Sequence, residues 1–330
     1  MIVIGSIAAP IGALVLNGDN VDPLDGLKGK DMIVTGGAGF IGSNLVDRLV
    51  SNGNRVFVID NMHTGSPNNL VGASKTGRVK VIKDDVKNIA KHGIKADVVF
   101  HLGLYSASPM YRDNPNLVNE VVEGMINLLE YAKANKVPIV YASTSSIYNG
   151  LKPPHREEMT PFVTDFYTEA RYATERLAEL YSKLHGVNVS AMRFFSVYGR
   201  HEEAKQKYAN LVTQFFWAMR KGEQPVIYGD GEQRRDFVHV DDVVDALLLA
   251  SSAKGFNVFN VGTGKNYSLN ELIEKLNKAM GTSIRAKYVG MPVKNYVMET
   301  LADTSKSEKM LSFRARISLD DGISKVVRGA

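Results

Sequence analysis

The chain has 330 residues, 44% of them apolar, enough to bury one large core or a large and a small one, and nothing in the composition marks disorder. Its net charge of +5 mildly favours anionic ligands, but the Lys and Arg residues are scattered, and no basic run is long enough for a nucleic-acid surface. With no cysteine the chain lacks disulfides, thiolate metal sites and a cysteine nucleophile, which fits a reducing, cytoplasmic setting.

Met1 to Leu16 are largely apolar, yet they lack the basic start of a signal peptide, contain Gly5, Pro10 and Gly12, and are too short to span a bilayer. An added strand or arm, packed on the body or on a second subunit, is expected rather than a membrane anchor. Asn17 to Lys30, rich in Gly, Asp and Asn, reads as a linker, so residues 1–29 form an extension with no assigned role.

Met32-Ile33-Val34 is a short buried-strand run, and the glycine-rich stretch Thr35 to Asn44 follows it. Leu45-Val46 and Leu49-Val50 then recur at helical spacing before a second strand, Arg55 to Ile59, that ends at Asp60. Strand, glycines, helix and terminal carboxylate in this register make a βαβ unit of the kind that holds a dinucleotide. The glycines allow a tight turn, open the backbone N–H groups to the pyrophosphate and let helix pack closely on strand. The helix N-terminus then faces the phosphates. Asp60 would accept hydrogen bonds from both hydroxyls of an adenosine ribose and repel a 2′-phosphate, which favours NAD over NADP; its bland alternative is a solvated strand-end carboxylate.

Strands and helices go on alternating. Val79 to Ile82, Val98 to Leu102 and Pro138 to Ala142 read as strands, and Val118, Val121, Val122, Met125, Leu128, Leu129 and Ala132 mark a long amphipathic helix before the third of them. A second helix runs from about Tyr167 to His185 and meets a C-cap at Gly186, and Val187 to Phe194 is a further strand. This order predicts an α/β fold, a doubly wound parallel sheet with helices on both faces. Beyond Phe195 the regularity breaks, while Asp236 to Val240 and Phe256 to Gly262 look like strands returning to the main body. The expected organisation is a cofactor-binding domain over 30–195 with returning segments near 236–262, and a smaller discontinuous lobe from 196–235 and 263–330. A ligand would lie between the lobe and the carboxyl ends of the strands.

Ser143 to Tyr148 follow a strand, and Tyr167 comes 23 residues after Thr144, with Arg171 one helical turn further on the same face. A guanidinium and a nicotinamide cation beside the phenol favour the tyrosinate, which could take a proton from a substrate hydroxyl while hydride leaves for the cofactor. A packed ring and a surface charge would show the same spacing.

Taken together, the glycine loop, the Thr144 and Tyr167 segments, Arg193-Phe194-Phe195-Ser196-Val197-Tyr198-Gly199 and Gly229 to Phe237 resemble the NAD-dependent nucleotide-sugar epimerase/dehydratase family, the extended branch of the short-chain dehydrogenases. The likeness covers roughly residues 30–325 and is strongest to the UDP-glucose 4-epimerase group. The resemblance implies that Gly36, Gly39, Phe40, Ile41 and Gly42 cradle the pyrophosphate of NAD, and that Asp60 and Asn61 hold the adenosine ribose with Thr64 and Gly65 beside them. Asp85 and Val86 would contact adenine, and Leu102 and Gly103 would pass beneath the cofactor. Thr144 would hydrogen-bond the reacting hydroxyl, Tyr167 would be the acid/base and Arg171 its support. For the sugar nucleotide it points to Ser196, Asn210, Leu211, Tyr228 and Arg235, with Arg235 pairing the diphosphate and Lys294 a further phosphate-binding base. Bland readings remain for three of these: a helix cap for Asn210, core packing for Tyr228 and a surface salt bridge for Arg235.

Absent residues discriminate as well. Dehydratase relatives carry an Asp-Glu pair after the Thr and decarboxylases a Glu two before the next Tyr, where this chain has Ser145 and Ser146. Three positions depart from the family pattern: Arg171 replaces a Lys, Val121 an Asn, and Ser196 an Asn, the last as in some uronate epimerases. The expected activity is an NAD-retaining UDP-hexose 4-epimerase with a transient 4-keto sugar. The alternatives are an NAD(P)H-dependent keto-sugar reductase and a non-catalytic NAD-binding protein. The resemblance further suggests a homodimer built on the helices near 115–135 and 167–185, while neither a membrane nor a nucleic-acid partner is expected.

Overall fold

In the computed structural model of the chain, which describes residues 22–24, 26–291 and 296–329, β1 (Asp31–Thr35) and β2 (Arg55–Ile59) pair in parallel, with Thr35 opposite Ile59. Helix α1 (Phe40–Ser51) crosses between them. β3 (Val79–Ile82) continues on the far side of β2, whereas β4 (Val98–His101), β5 (Ile139–Thr144), β6 (Val189–Phe194) and a seventh strand, Phe256–Val261, add on the other side of β1. All seven strands are parallel, as the alternation of strand and helix requires. The direction of winding reverses at β1, so a crevice opens where the carboxyl ends of β1 and β4 part.

The inner strands are mostly apolar because both faces are covered, whereas the edge strand β3 is largely exposed. Met32 and Val34 of β1 join Leu45 and Leu49 of α1 and Val243 and Leu247 of the Val240–Ala250 helix on one face. Ile33, one residue out of phase, joins Met125, Leu128 and Ala178 on the other, beneath the helices Leu117–Asn135 and Phe166–His185. The Phe166–His185 helix starts where Asp165 accepts from Thr168 N at 2.7 Å in a capping box and ends at Gly186, φ 69°, the expected left-handed C-cap. That start fixes Tyr167 in the first turn. A third cluster draws on separate stretches of the C-terminal half: Phe215 and Phe216 of Leu211–Arg220, Leu272 and Leu276 of Leu269–Met280, and Ile323 of Leu319–Arg328.

Both later strands return to the main body, Phe256–Val261 as a strand of the main sheet and Phe237–His239 with Val238 in the α1-side core, though it pairs in parallel with Ser196–Tyr198 as a separate ladder. Both edges of β6 are already filled, by β5 and by Phe256–Val261, so a later strand can pair only with the extension of β6 beyond Phe195. Within the stretch read as a linker, Leu24 and Leu27 pack against the α1-side core, which makes this part of the body; Met1 to Val21 lie outside the described residues. Among the described residues no helix is long and apolar enough to cross a membrane.

Candidate cofactor and catalytic site

The crevice at the winding reversal is a cleft of about 560 Å³ lined by Gly36, Gly39 to Gly42, Thr144, Tyr167, Arg171, Ser196, Asn210 and Arg235, among others. Its glycines differ in what surrounds them. Gly36 turns with φ 68°, and a Cβ there would lie 2.4 Å from Gly103 N, because the turn after β1 presses on the backbone leaving β4. A Cβ at Gly42 would lie 2.1 Å from Gly36 O. A Cβ at Gly39 would meet only Gly36 O, at 3.1 Å, so its other side opens into the cleft, and as N-cap of α1 it offers no side-chain acceptor to the first-turn N–H groups. An uncapped helix N-terminus without a covering side chain is the cradle a pyrophosphate fits.

Next to it, Asp60, Asn61, Thr64, Gly65, Asp85, Val86, Leu102 and Gly103 line a smaller recess. The Asp60 carboxylate accepts from Ala38 N at 2.9 Å and from Met62 N at 2.8 Å, and burial pushes its pKa up against these bonds. Each oxygen keeps a lone pair for a ribose hydroxyl. Asn61 donates to Asp85 at 3.3 Å, tying the ends of β2 and β3 together. Val121 and Gly124 of the long helix close the same recess. The residues present therefore fit an adenosine diphosphate at the glycine loop, with the Asp60 carboxylate in the adjoining recess.

Thr144 ends β5 and accepts from Ser146 N at 3.1 Å. Its strand is anchored from behind by a buried pair: Arg193 of β6 donates to both oxygens of Glu175, at 3.0 and 2.7 Å, and Ser143 Oγ donates to Glu175 at 2.5 Å. Tyr167 lines the cleft with Thr144, and the Arg171 guanidinium lies 5.2 Å from its ring centroid. Arg171 is buried, and its terminal nitrogens donate to Tyr105 O at 2.7 Å and Ala142 O at 3.3 Å. The guanidinium thus braces the end of β5 against the chain leaving β4, a two-pronged job that a lysine's single ammonium would do differently. The same charge acts on His101, which is fully buried and bonded to Thr35 Oγ1 at 2.6 Å; burial, with Arg171 adding, pushes its pKa down to about 3.

The residues expected at the sugar nucleotide divide. Ser196, Asn210 and Arg235 line the cleft, whereas Leu211 packs into the core of the C-terminal half and Tyr228 is 42% exposed and outside the cleft lining. Asn210 also caps the Leu211–Arg220 helix, accepting from Val212 N at 3.0 Å. Among the described residues Arg235 forms no ion pair; it donates to the carbonyls of Arg234, Val297 and Met298 and lies 5.4 Å from the Tyr296 ring. Lys294 lies outside the described residues.

A family model described as the NAD dependent epimerase/dehydratase family matches residues 32–262. The chain belongs to this family. NAD is accordingly the cofactor of this family member, in agreement with the glycine cradle and Asp60. A putative UDP-glucose 4-epimerase of Methanocaldococcus jannaschii is 33% identical over 303 residues, covering 90% of this chain and 97% of that protein. UDP-glucuronic acid decarboxylase 1 of Arabidopsis thaliana is 31% identical over 309 residues, covering 92% and 70%. The solved structure of UDP-N-acetylglucosamine 4-epimerase from Methanobrevibacter ruminantium M1 in complex with UDP-N-acetylmuramic acid matches with a TM-score of 0.86 at 29% identity, covering 91% of this chain and 98% of that one.

Several lining residues carried no sequence signal. Ser108, whose Oγ donates to Asp165 at 2.6 Å, and Arg112 come from the short helix after β4, and Lys205 and Tyr208 from the stretch before Asn210. These stretches contain neither a motif nor a periodic pattern, and only folding brings them to the cleft.

Proposed function

We propose that the chain is an NAD-retaining nucleotide-sugar 4-epimerase acting on a UDP-hexose. The observation that carries this reading is the shared cleft: Thr144 and Tyr167 line it together with the glycine loop, and serines occupy positions 145 and 146 beside them. The cleft lining carries two carboxylates, Asp165, which caps Thr168 N and accepts from Ser108, and Glu299, which accepts from Asn266 at 2.8 Å. Neither replaces the acid that dehydratases and decarboxylases carry at positions 145 and 146, directly after Thr144.

Bound NAD supplies a hydride acceptor and donor. Tyr167 removes the proton of the sugar's C4 hydroxyl and later returns it, while the Thr144 hydroxyl hydrogen-bonds the same oxygen. Arg171 holds the phenol's electrostatic surroundings and the backbone under it. A 4-keto sugar formed in this way would have to turn over within the cleft for hydride to return to its other face. Ser196 and Arg112 at the cleft support a sugar acid as a second substrate reading, since Arg112 has no ion-pair partner among the described residues.

Purified protein offered UDP-glucose, UDP-galactose, UDP-N-acetylhexosamines and UDP-glucuronate should interconvert one pair with no net use of NADH. Tyr167→Phe should lower that rate by about a thousand-fold or more and leave NAD bound. Interconversion of no pair, or a Tyr167→Phe variant as fast as the parent, would sink the reading. We also infer a homodimer through the helices Leu117–Asn135 and Phe166–His185, where Ile126, Leu180 and Leu184 are exposed and Leu184 reaches 72%.

A further inference from the structure

The stretch between Gly199 and Asn210 has no counterpart among the motifs, yet it spans from α1 to the sugar end of the cleft. Its start is tied to α1 one turn below the glycine loop: His201 Nδ1 and Ser43 Oγ are 2.9 Å apart, Arg200 Nε donates to Asn44 Oδ1 at 2.6 Å, and Asn44 donates back to Arg200 O at 3.1 Å. Its end is tied by Glu202, which is 1% exposed and accepts from Asn210 N at 3.0 Å and from Thr213 Oγ1. The same carboxylate holds the Lys205 ammonium at 3.2 Å. That ammonium lies 5.1 Å from the ring centroid of Phe40, the first residue of α1, and Lys205 lines the cleft with Gly39 to Gly42. The backbone at Gln206, φ 47° and ψ −121°, is one a non-glycine residue keeps only where its surroundings hold it.

A dinucleotide brings two phosphate charges to α1, whose first turn contains no basic residue. Of the other cations lining the cleft, Arg171 and Arg235 donate to backbone carbonyls, and Arg112 belongs to the short helix after β4. We propose that Lys205 is a pyrophosphate-binding residue for NAD, and that the 199–210 segment straps the cofactor against α1 through it. The helix N-terminus supplies N–H donors and a partial charge, and Lys205 the full charge beside them.

The test uses the whole chain as parent, Lys205→Met, Lys205→Arg and the double variant Lys205→Met/Glu202→Gln. NAD released on denaturation after gel filtration in high salt is counted per chain, NAD affinity is titrated on stripped protein, and UDP affinity is titrated on NAD-loaded protein. Lys205→Met should weaken NAD by about ten-fold or more, with a shallower salt dependence, and leave UDP affinity unchanged. Lys205→Arg should restore most of the loss. In the double variant, which removes the unpaired buried carboxylate, NAD should stay weak. Parent-like NAD retention by Lys205→Met overturns the proposal, as does its recovery in the double variant, since Lys205 would then only neutralise Glu202. A loss of UDP affinity with NAD unchanged also overturns it, by assigning the lysine to the substrate's diphosphate.

Discussion

The cofactor end and the sugar end of one cleft are built on different terms. At the cofactor end, backbone meets backbone: Gly36 against Gly103, Gly42 against Gly36, and Asp60 holding Ala38 N and Met62 N. At the sugar end, side chains from distant stretches converge, and several are engaged with their own protein, Asn210 as a helix cap, Arg235 on three carbonyls and Asp165 on two donors. The first kind of site tolerates almost no change in shape. The second can change its ligand by changing a few side chains, and relatives matched over most of the chain are named for different UDP-sugars.

The contrast breaks first at the glycines. Gly42→Ala puts a Cβ 2.1 Å from Gly36 O, so NAD retention should vanish and stability fall by about 3 kcal/mol. Gly39→Ala, with one neighbour at 3.1 Å, should keep stability within about 1 kcal/mol and still lose NAD affinity. Thermal melts with released NAD counted per chain separate the two, and equal destabilisation would show that the cradle is not open at Gly39.

A smaller effect concerns acid. His101, buried between the cofactor floor and Arg171, has a pKa near 3 in the folded protein against about 6.5 unfolded. The unfolded chain therefore takes up the proton first, so the stability present above pH ~6.5 is lost as pH falls toward the folded value. That loss is about 2 to 3 kcal/mol over the first two pH units. Buried His239, pushed down to about 4, adds in the same direction. Denaturant melts of His101→Asn should show a shallower fall with acid; an unchanged slope would remove His101 as a source. Least in energy is Leu184→Glu, which should turn a dimer into a folded monomer in light scattering while NAD retention persists, and a parent that is already monomeric would end the dimer inference.

How much of this was legible in the sequence follows the same division. Strand positions, the Gly186 cap, the glycine loop and Asp60 could be read because each depends on neighbours within one βαβ unit or one helix. The pairing of Phe237–His239 could not, since it depended on which edges of β6 were already taken. Tyr228 was expected at the ligand from its place in a motif, but the motif does not fix which way a three-residue strand, Val226–Tyr228, presents its side chains. Arg171 was legible as a cation near Tyr167; that it braces two carbonyls from separate segments required the fold. Lys205 had no signal at all, because its significance arises from Phe40 and Glu202, which only the folded chain brings beside it.

In the proposed reaction, hydride leaves C4 of the sugar and returns to the same carbon without exchange. The pair identified by the UDP-sugar panel can be prepared with deuterium at C4 and converted by the NAD-loaded protein. The product epimer should carry the deuterium at C4 undiminished, with none in water and no net NADH formed. An epimer that has lost its deuterium to solvent would rule this reaction out.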